Sequence, residues 1–143
     1  MLGSLGKKIE LKATLNNFEQ FMSFINSELA NSQIEESDKI KILTSCEEII
    51  VNIINYAYKE GEGYLGILIQ NNSRKIIITL IDNGVAFNPL DKVDADITLP
   101  LEERNTGGLG ILMVKKLMDD VKYEYQNQQN RLTIVKYISN FKT

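Results

Sequence analysis

The chain has 143 residues, 43% of them hydrophobic, enough for one domain with a real core, and no shift in composition marks a second. It contains no histidine and a single cysteine, Cys46, which excludes an internal disulfide, histidine-bearing zinc sites, Ser-His-Asp and Cys-His catalysis, and histidine phosphorylation within the chain. A net charge of −3 with no block of Lys and Arg argues against a nucleic acid partner. Without a membrane-length apolar run or a signal-peptide-like start, a cytoplasmic protein is expected.

Lys8 to Thr14 alternates Ile9, Leu11 and Ala13 with charged residues, the pattern of a half-buried strand. Asn16 or Asn17 then stands where a helix cap is wanted, and Phe18, Phe21, Met22, Ile25 and Leu29 follow at spacings of three and four. The polar link Asn31 to Ser37 leads to a longer helix, about Asp38 to Lys59, whose stripe includes Ile42, Cys46, Ile49, Ile50 and Ile53. Tyr64 to Gln70 and Lys75 to Ile81 read as strands of a hairpin joined by Asn71 to Arg74. From Asn83 to Gly107 the chain holds both prolines and no sustained period, a long loop of the kind usually functional or mobile. A glycine cluster, a helix to about Val121, and strands at Lys122 to Gln126 and Arg131 to Ile138 complete an α+β pattern.

Three segments carry chemistry. In "CEEIIVNIINYAY", Cys46 to Tyr58, Glu48 and Asn52 are four apart and stack on one side of the helix, with Asn55 nearby. Such a group is either a solvated face or a pair with a purpose: a carboxylate to take a proton and a carboxamide oxygen for a hard cation such as Mg²⁺. In "LIDNGVAFNP", Leu80 to Pro89, Asp82 and Gly84 make either a turn or an acceptor at a strand end beside which a flat ligand can lie. In "NTGGLGILMVKKLMDDV", Asn105 to Val121, glycines stand before a helix whose amides and dipole suit an anion. The glycines do not fit the G-x-x-x-x-G-K-[ST] loop or the dinucleotide fingerprint.

In this order and spacing the three segments resemble the GHKL superfamily of ATP-binding domains, most closely its bacterial anti-sigma-factor serine/threonine kinase branch. "EIIVNIINYAY" is similar to that family's N-box, "DNGVAFNP" to its first glycine box and "TGGLGILMVKKLMDDVKY" to its second. The resemblance covers essentially the whole chain, read as a single domain over 1–143. It implies a two-layer sandwich, with a mixed, mostly antiparallel sheet, helices on one face, and ATP under a mobile lid at about residues 83–107. It implies that Glu48 polarises the attacking hydroxyl, that Asn52 binds Mg²⁺, and that Asp82 holds the adenine amino group with help from Thr133. Gly84 would shape the pocket, and Thr106, Gly107, Gly108, Leu109 and Gly110 would wrap the phosphates. The sequence departs from the family at Ala86, where a second glycine is usual, at Tyr56, where a histidine is common, and at Thr106, where a basic residue often stands.

The function so implied is an ATP-dependent serine/threonine protein kinase acting as an anti-sigma regulatory factor. Its partners would be a small anti-sigma-factor antagonist, which it phosphorylates, and a sigma factor, which it sequesters; a homodimer through the first strand is a further possibility. The alternative is a nucleotide-binding regulatory module that sequesters a partner without kinase activity. The ATPase portion of a DNA-topology or repair machine is disfavoured by the absence of room for a transducer and of a basic surface. A sensor histidine kinase is disfavoured by the absence of histidine and of long heptad helices.

Overall fold

In the computed structural model, which describes residues 6–58, 62–72, 74–91 and 106–138, the chain runs β1 (Lys7–Lys12), α1 (Phe18–Ala30), α2 (Glu36–Tyr56), β2 (Tyr64–Asn71) and β3 (Lys75–Asp82). It continues through α3 (Thr106–Leu117), β4 (Asp120–Gln126) and β5 (Gln129–Tyr137). The α+β sandwich expected from the sequence is therefore present. Its strands form one sheet in the order β1-β2-β3-β5-β4.

All four pairings are antiparallel, where the resemblance implied a mixed sheet. The reason lies in the connections. β1 and β2 are joined through α1 and α2, which return the chain reversed; β3 and β4, with α3 in the connection between them, run the same way, but β5 lies between them. The parallel pair exists and is split.

Period-two alternation decides which side chains meet the helices. Leu65, Ile67 and Ile69 of β2, Ile76, Ile78 and Leu80 of β3, and Leu132 and Ile134 of β5 lie in one buried cluster with Phe21, Ile25 and Leu29 of α1 and Ile42, Cys46, Ile49 and Ile50 of α2. The ladder puts Leu80 opposite Leu132 and Ile78 opposite Ile134. At the end of that same row stand Asp82 and Asn130, the next cross-strand pair on the helix-covered face. An apolar face thus terminates in two buried polar residues, which is where the site begins.

Two local expectations are corrected. Asn17 precedes α1 but its side chain makes no cap hydrogen bond; its amide donates to Lys12 O at 2.9 Å instead, and a 3-10 turn at Leu15–Asn17 feeds the helix. The glycines of the third segment do not precede α3 but form its first turn, since the helix starts at Thr106. Elsewhere the ends differ by a few residues, α2 spanning Glu36–Tyr56 rather than about Asp38 to Lys59.

At the other end of α3 a buried cation closes the structure. Lys136 Nζ donates to Leu117 O at 3.1 Å, with Asp119 Oδ2 at 3.6 Å and Asp38 Oδ1 at 4.0 Å. Both Lys136 and Asp38 are buried, so the charges satisfy one another in place of water.

Candidate functional site

The C-terminal half of α2 passes over the ends of β3 and β5 and leaves a cavity of about 450 Å³. Ile49, Ile53, Leu80, Ile111 and Leu132 make its walls apolar, and Tyr56 and Tyr123 add aromatic faces. Apart from the two tyrosine hydroxyls, its polar side chains are Asn52, Asp82 and Asn130. This is a lining for a flat ring with one hydrogen-bonding edge.

Asp82 is 5% exposed and is held from behind. Its Oδ1 accepts Gly84 N–H at 2.8 Å and the Asn130 amide at 2.9 Å. Burial, the largest influence, pushes its carboxyl above the ordinary value of 3.8, and the two hydrogen bonds pull it the other way. Asn130 also donates to Val85 O at 3.0 Å and Gly84 O at 3.3 Å, and its own oxygen accepts Phe87 N–H at 3.1 Å and the Tyr123 hydroxyl.

The turn after Asp82 is pinned from α2 as well. The Tyr58 hydroxyl accepts Asn83 N–H at 2.7 Å and donates to Tyr64 O at 2.6 Å, tying the end of α2 to both strands of the hairpin. Partial burial raises its phenol pKa. Gly84 lies so close to α2 that a Cβ there would sit 2.9 Å from the Ala57 carbonyl carbon and closer still to its oxygen. Only glycine fits that approach.

One turn before Asn52 on α2, Glu48 reaches the first turns of α3. A Cβ on Gly110 would meet Glu48 Cγ at 2.7 Å and Cδ at 2.8 Å, with Oε2 nearer. The Glu48 side chain therefore packs on the glycine, half-buried, and the solvated-face reading of this residue does not hold. The first four amides of an α-helix have no intrahelical acceptor, so the opening turn of α3, Thr106 to Leu109, is suited to an anion beside that carboxylate.

The structure thus brings Glu48, Asn52, Asp82, Gly84, Ala86 and Gly110 around one region, Ala86 lining the cavity where the family often has glycine. Asn55, by contrast, is exposed. Thr133 is corrected outright. It stands directly opposite Thr79, with which it shares a 3.2 Å hydrogen bond on the sheet face turned away from the helices, one residue out of phase with Leu132 and Asn130. The residue that touches Asp82 is Asn130, which the sequence alone did not single out; the alternation Asn130, Leu132, Ile134 was the available signal, blurred by Val135. Most of the expected lid, residues 92–105, lies outside the described residues.

A helix-covered antiparallel sheet with a carboxylate and carboxamide on one helix, an aspartate at a strand end and a glycine-opened helix defines an ATP-binding domain of the histidine kinase-like class. Residues 11–136 match the histidine kinase-like ATPase domain family, and the chain belongs to it. Within that family it is 35% identical over 107 residues to the serine-protein kinase RsbW of Bacillus cereus (strain AH820), a match covering 72% of this chain and 64% of the relative. The RsbW of Bacillus thuringiensis (strain Al Hakam) matches to the same extent, so the chain spans a little under two thirds of those relatives' length. Among solved structures, the RsbU and RsbW domains of a Mycobacterium tuberculosis protein share the fold with a TM-score of 0.59 at 14% identity, over 91% of this chain and 32% of that one. No helix among the described residues is long and apolar enough to cross a membrane.

Proposed function

We propose that the chain is an ATP-dependent serine/threonine protein kinase acting as an anti-sigma regulatory factor. In this reading it phosphorylates a small antagonist protein and sequesters a sigma factor, so that phosphorylation switches it between partners. The observation that carries the reading is the contact of Glu48 with Gly110, which sets a carboxylate beside the anion-binding end of α3, while Asn52, one turn on, faces the cavity that ends at Asp82. The names of the RsbW relatives support the same activity.

In the proposed complex, Asp82 accepts the adenine amino group and the walls from α2, β3 and β5 cover the ring. The amides opening α3 receive the phosphate chain. Glu48 accepts the hydrogen bond of the attacking serine or threonine hydroxyl, takes its proton as the oxygen–phosphorus bond forms, and ADP leaves. Phosphoryl transfer asks mainly for alignment and charge neutralisation, so one carboxylate and a ring of amides suffice from the protein side. Among the described residues no group of three or more His, Cys, Asp and Glu is placed to hold a metal ion. That suits an Mg²⁺ ion carried on nucleotide phosphates, for which Asn52 would supply a carboxamide oxygen, the ion contributing charge neutralisation at the phosphates.

The test pairs calorimetric ATP binding with transfer of labelled γ-phosphate to the antagonist protein. Glu48→Gln is expected to bind ATP within about threefold of wild type and to lose transfer by about 10²–10⁴-fold, the range for a general base. ATP binding by the wild type without transfer to any candidate antagonist would favour the alternative, a nucleotide-responsive module that holds its partner without modifying it.

A further inference from the structure

We propose that Asn130 is the positioning residue that makes Asp82 selective for an amino-bearing nucleobase edge. The inference rests on the nucleotide reading of the cavity and adds to it the source of base discrimination.

The orientation of the Asn130 amide follows from its neighbours. Its nitrogen faces three oxygens, Asp82 Oδ1, Gly84 O and Val85 O, and its oxygen faces two donors, Phe87 N–H and the Tyr123 hydroxyl. Turning the amide over would set oxygen against three oxygens, so one orientation is fixed. Every contact runs to the segment between Asp82 and Phe87 or to Tyr123 of β4. Asn130 therefore clamps the turn and fixes the carboxylate plane together.

The consequence falls on Asp82. Its Oδ1 is taken by two N–H donors, and among the described residues none donates to Oδ2, although the residue lines the cavity. With Oδ1 saturated by donors, Oδ2 is the oxygen offered to a ligand, and as an ionised oxygen it can only accept. A base with an exocyclic amino group at that edge is bound; one with a carbonyl oxygen there meets repulsion, and one with hydrogen alone leaves a buried acceptor unpaired. Without Asn130 the carboxylate loses one donor and its orientation, and the turn carrying Gly84 and Val85 loses its tie to the sheet.

The experiment measures Kd for ATP and for purine riboside triphosphate, which lacks only the 6-amino group, on wild type, Asn130→Ala and Asp82→Asn, with circular dichroism to verify folding. Wild type is expected to prefer ATP by roughly 10- to 150-fold. In Asn130→Ala the preference is expected to fall to within about threefold, ATP losing much more affinity than purine riboside triphosphate. Equal weakening toward both nucleotides would assign Asn130 a purely structural part and overturn the proposal. So would an intact preference in Asn130→Ala alongside its loss in Asp82→Asn, which would leave the Asp82 reading standing. No preference in the wild type would instead sink the adenine contact itself. Should the alanine variant not fold, Asn130→Thr, a strand-compatible residue too short to reach all five partners, replaces it in the same comparison, and each outcome keeps the same meaning.

Discussion

Replacing Gly110 with alanine sets a methyl group 2.7 Å from Glu48 Cγ and 2.8 Å from Cδ, distances no pair of carbons sustains. Two effects then oppose each other in stability. Gly110 sits in α3 and not at positive φ, so alanine gains about 0.8–1.0 kcal/mol in helix propensity. The group in the way is a side chain that can swing aside, at about 0.5–1.5 kcal/mol if it leaves its rotamer. Stability should therefore change by less than about 1 kcal/mol. Phosphotransfer should not survive so well, because a displacement of about 1 Å at a catalytic group costs on the order of 10²-fold. Urea denaturation and single-turnover transfer to the antagonist read the two quantities. A transfer rate within threefold of wild type would refute the role given to the Glu48–Gly110 contact, and a stability loss above about 3 kcal/mol would show that Glu48 cannot move. Gly84→Ala is the contrasting case: its methyl meets the Ala57 backbone, which cannot rotate away, and a loss of about 1–3 kcal/mol is expected.

The raised carboxyl of Asp82 gives pH dependence with two opposite signs. Because its folded value lies above the unfolded one, its contribution to folding is fully present below the ordinary value of 3.8 and is lost as pH rises through the folded value. If Asp82 makes the proposed adenine contact, ATP affinity needs its ionised oxygen and should fall as pH drops through that same value; a carbon-13 carboxyl titration beside affinity measurements must show one common midpoint. Tyr58→Phe removes the hydroxyl bonds to Asn83 and Tyr64 and should cost about 1–3 kcal/mol by urea denaturation, with no loss if the tie is idle. At the tip of the β4–β5 hairpin, Asn127 and Gln128 both hold positive φ, 55° and 63°. Gln128→Gly should therefore raise stability by about 1 kcal/mol in thermal melts. Cys46 is buried and its thiol is pushed up to about 12 by desolvation, so a thiol reagent should label it only at the rate of unfolding; fast labelling of native protein would contradict the packing of α2.

What the sequence made legible was whatever repeats with the period of an element. The stripe Ile42, Cys46, Ile49 and Ile50 announced α2 and its buried side, and the runs around Ile67 and Ile78 announced the hairpin that carries Asp82. Glu48 and Asn52 were visible because four residues make one helical turn. Asn130 was not visible, because its meaning comes from standing opposite Asp82, 48 residues away in sequence, across a β ladder. Thr133, expected only from the family resemblance, lies one residue out of phase with Asn130 and Leu132, and in a strand a shift of one residue changes the face. The glycine turn of α3 was recognised by composition while its helical state was not, since glycine says little about conformation until its neighbours are placed.

Lys136 meets the last turn of α3 at Leu117, at the opposite end from the glycines. The helix dipole is thus answered at its negative pole by a buried cation, while its positive pole lies at the opening turn, where the proposed function puts the phosphates. On the proposed function the two ends of one rod would have different schedules: the tail is held by Lys136, and the head would be held by the nucleotide's phosphates. Amide exchange along α3 should record this as a gradient, slow near Val114 and Leu117 in every state and slowed near Gly110 only when nucleotide is present. If so, the sheet, α2 and the tail of α3 would serve as a fixed frame against which the presence of a phosphate chain is registered.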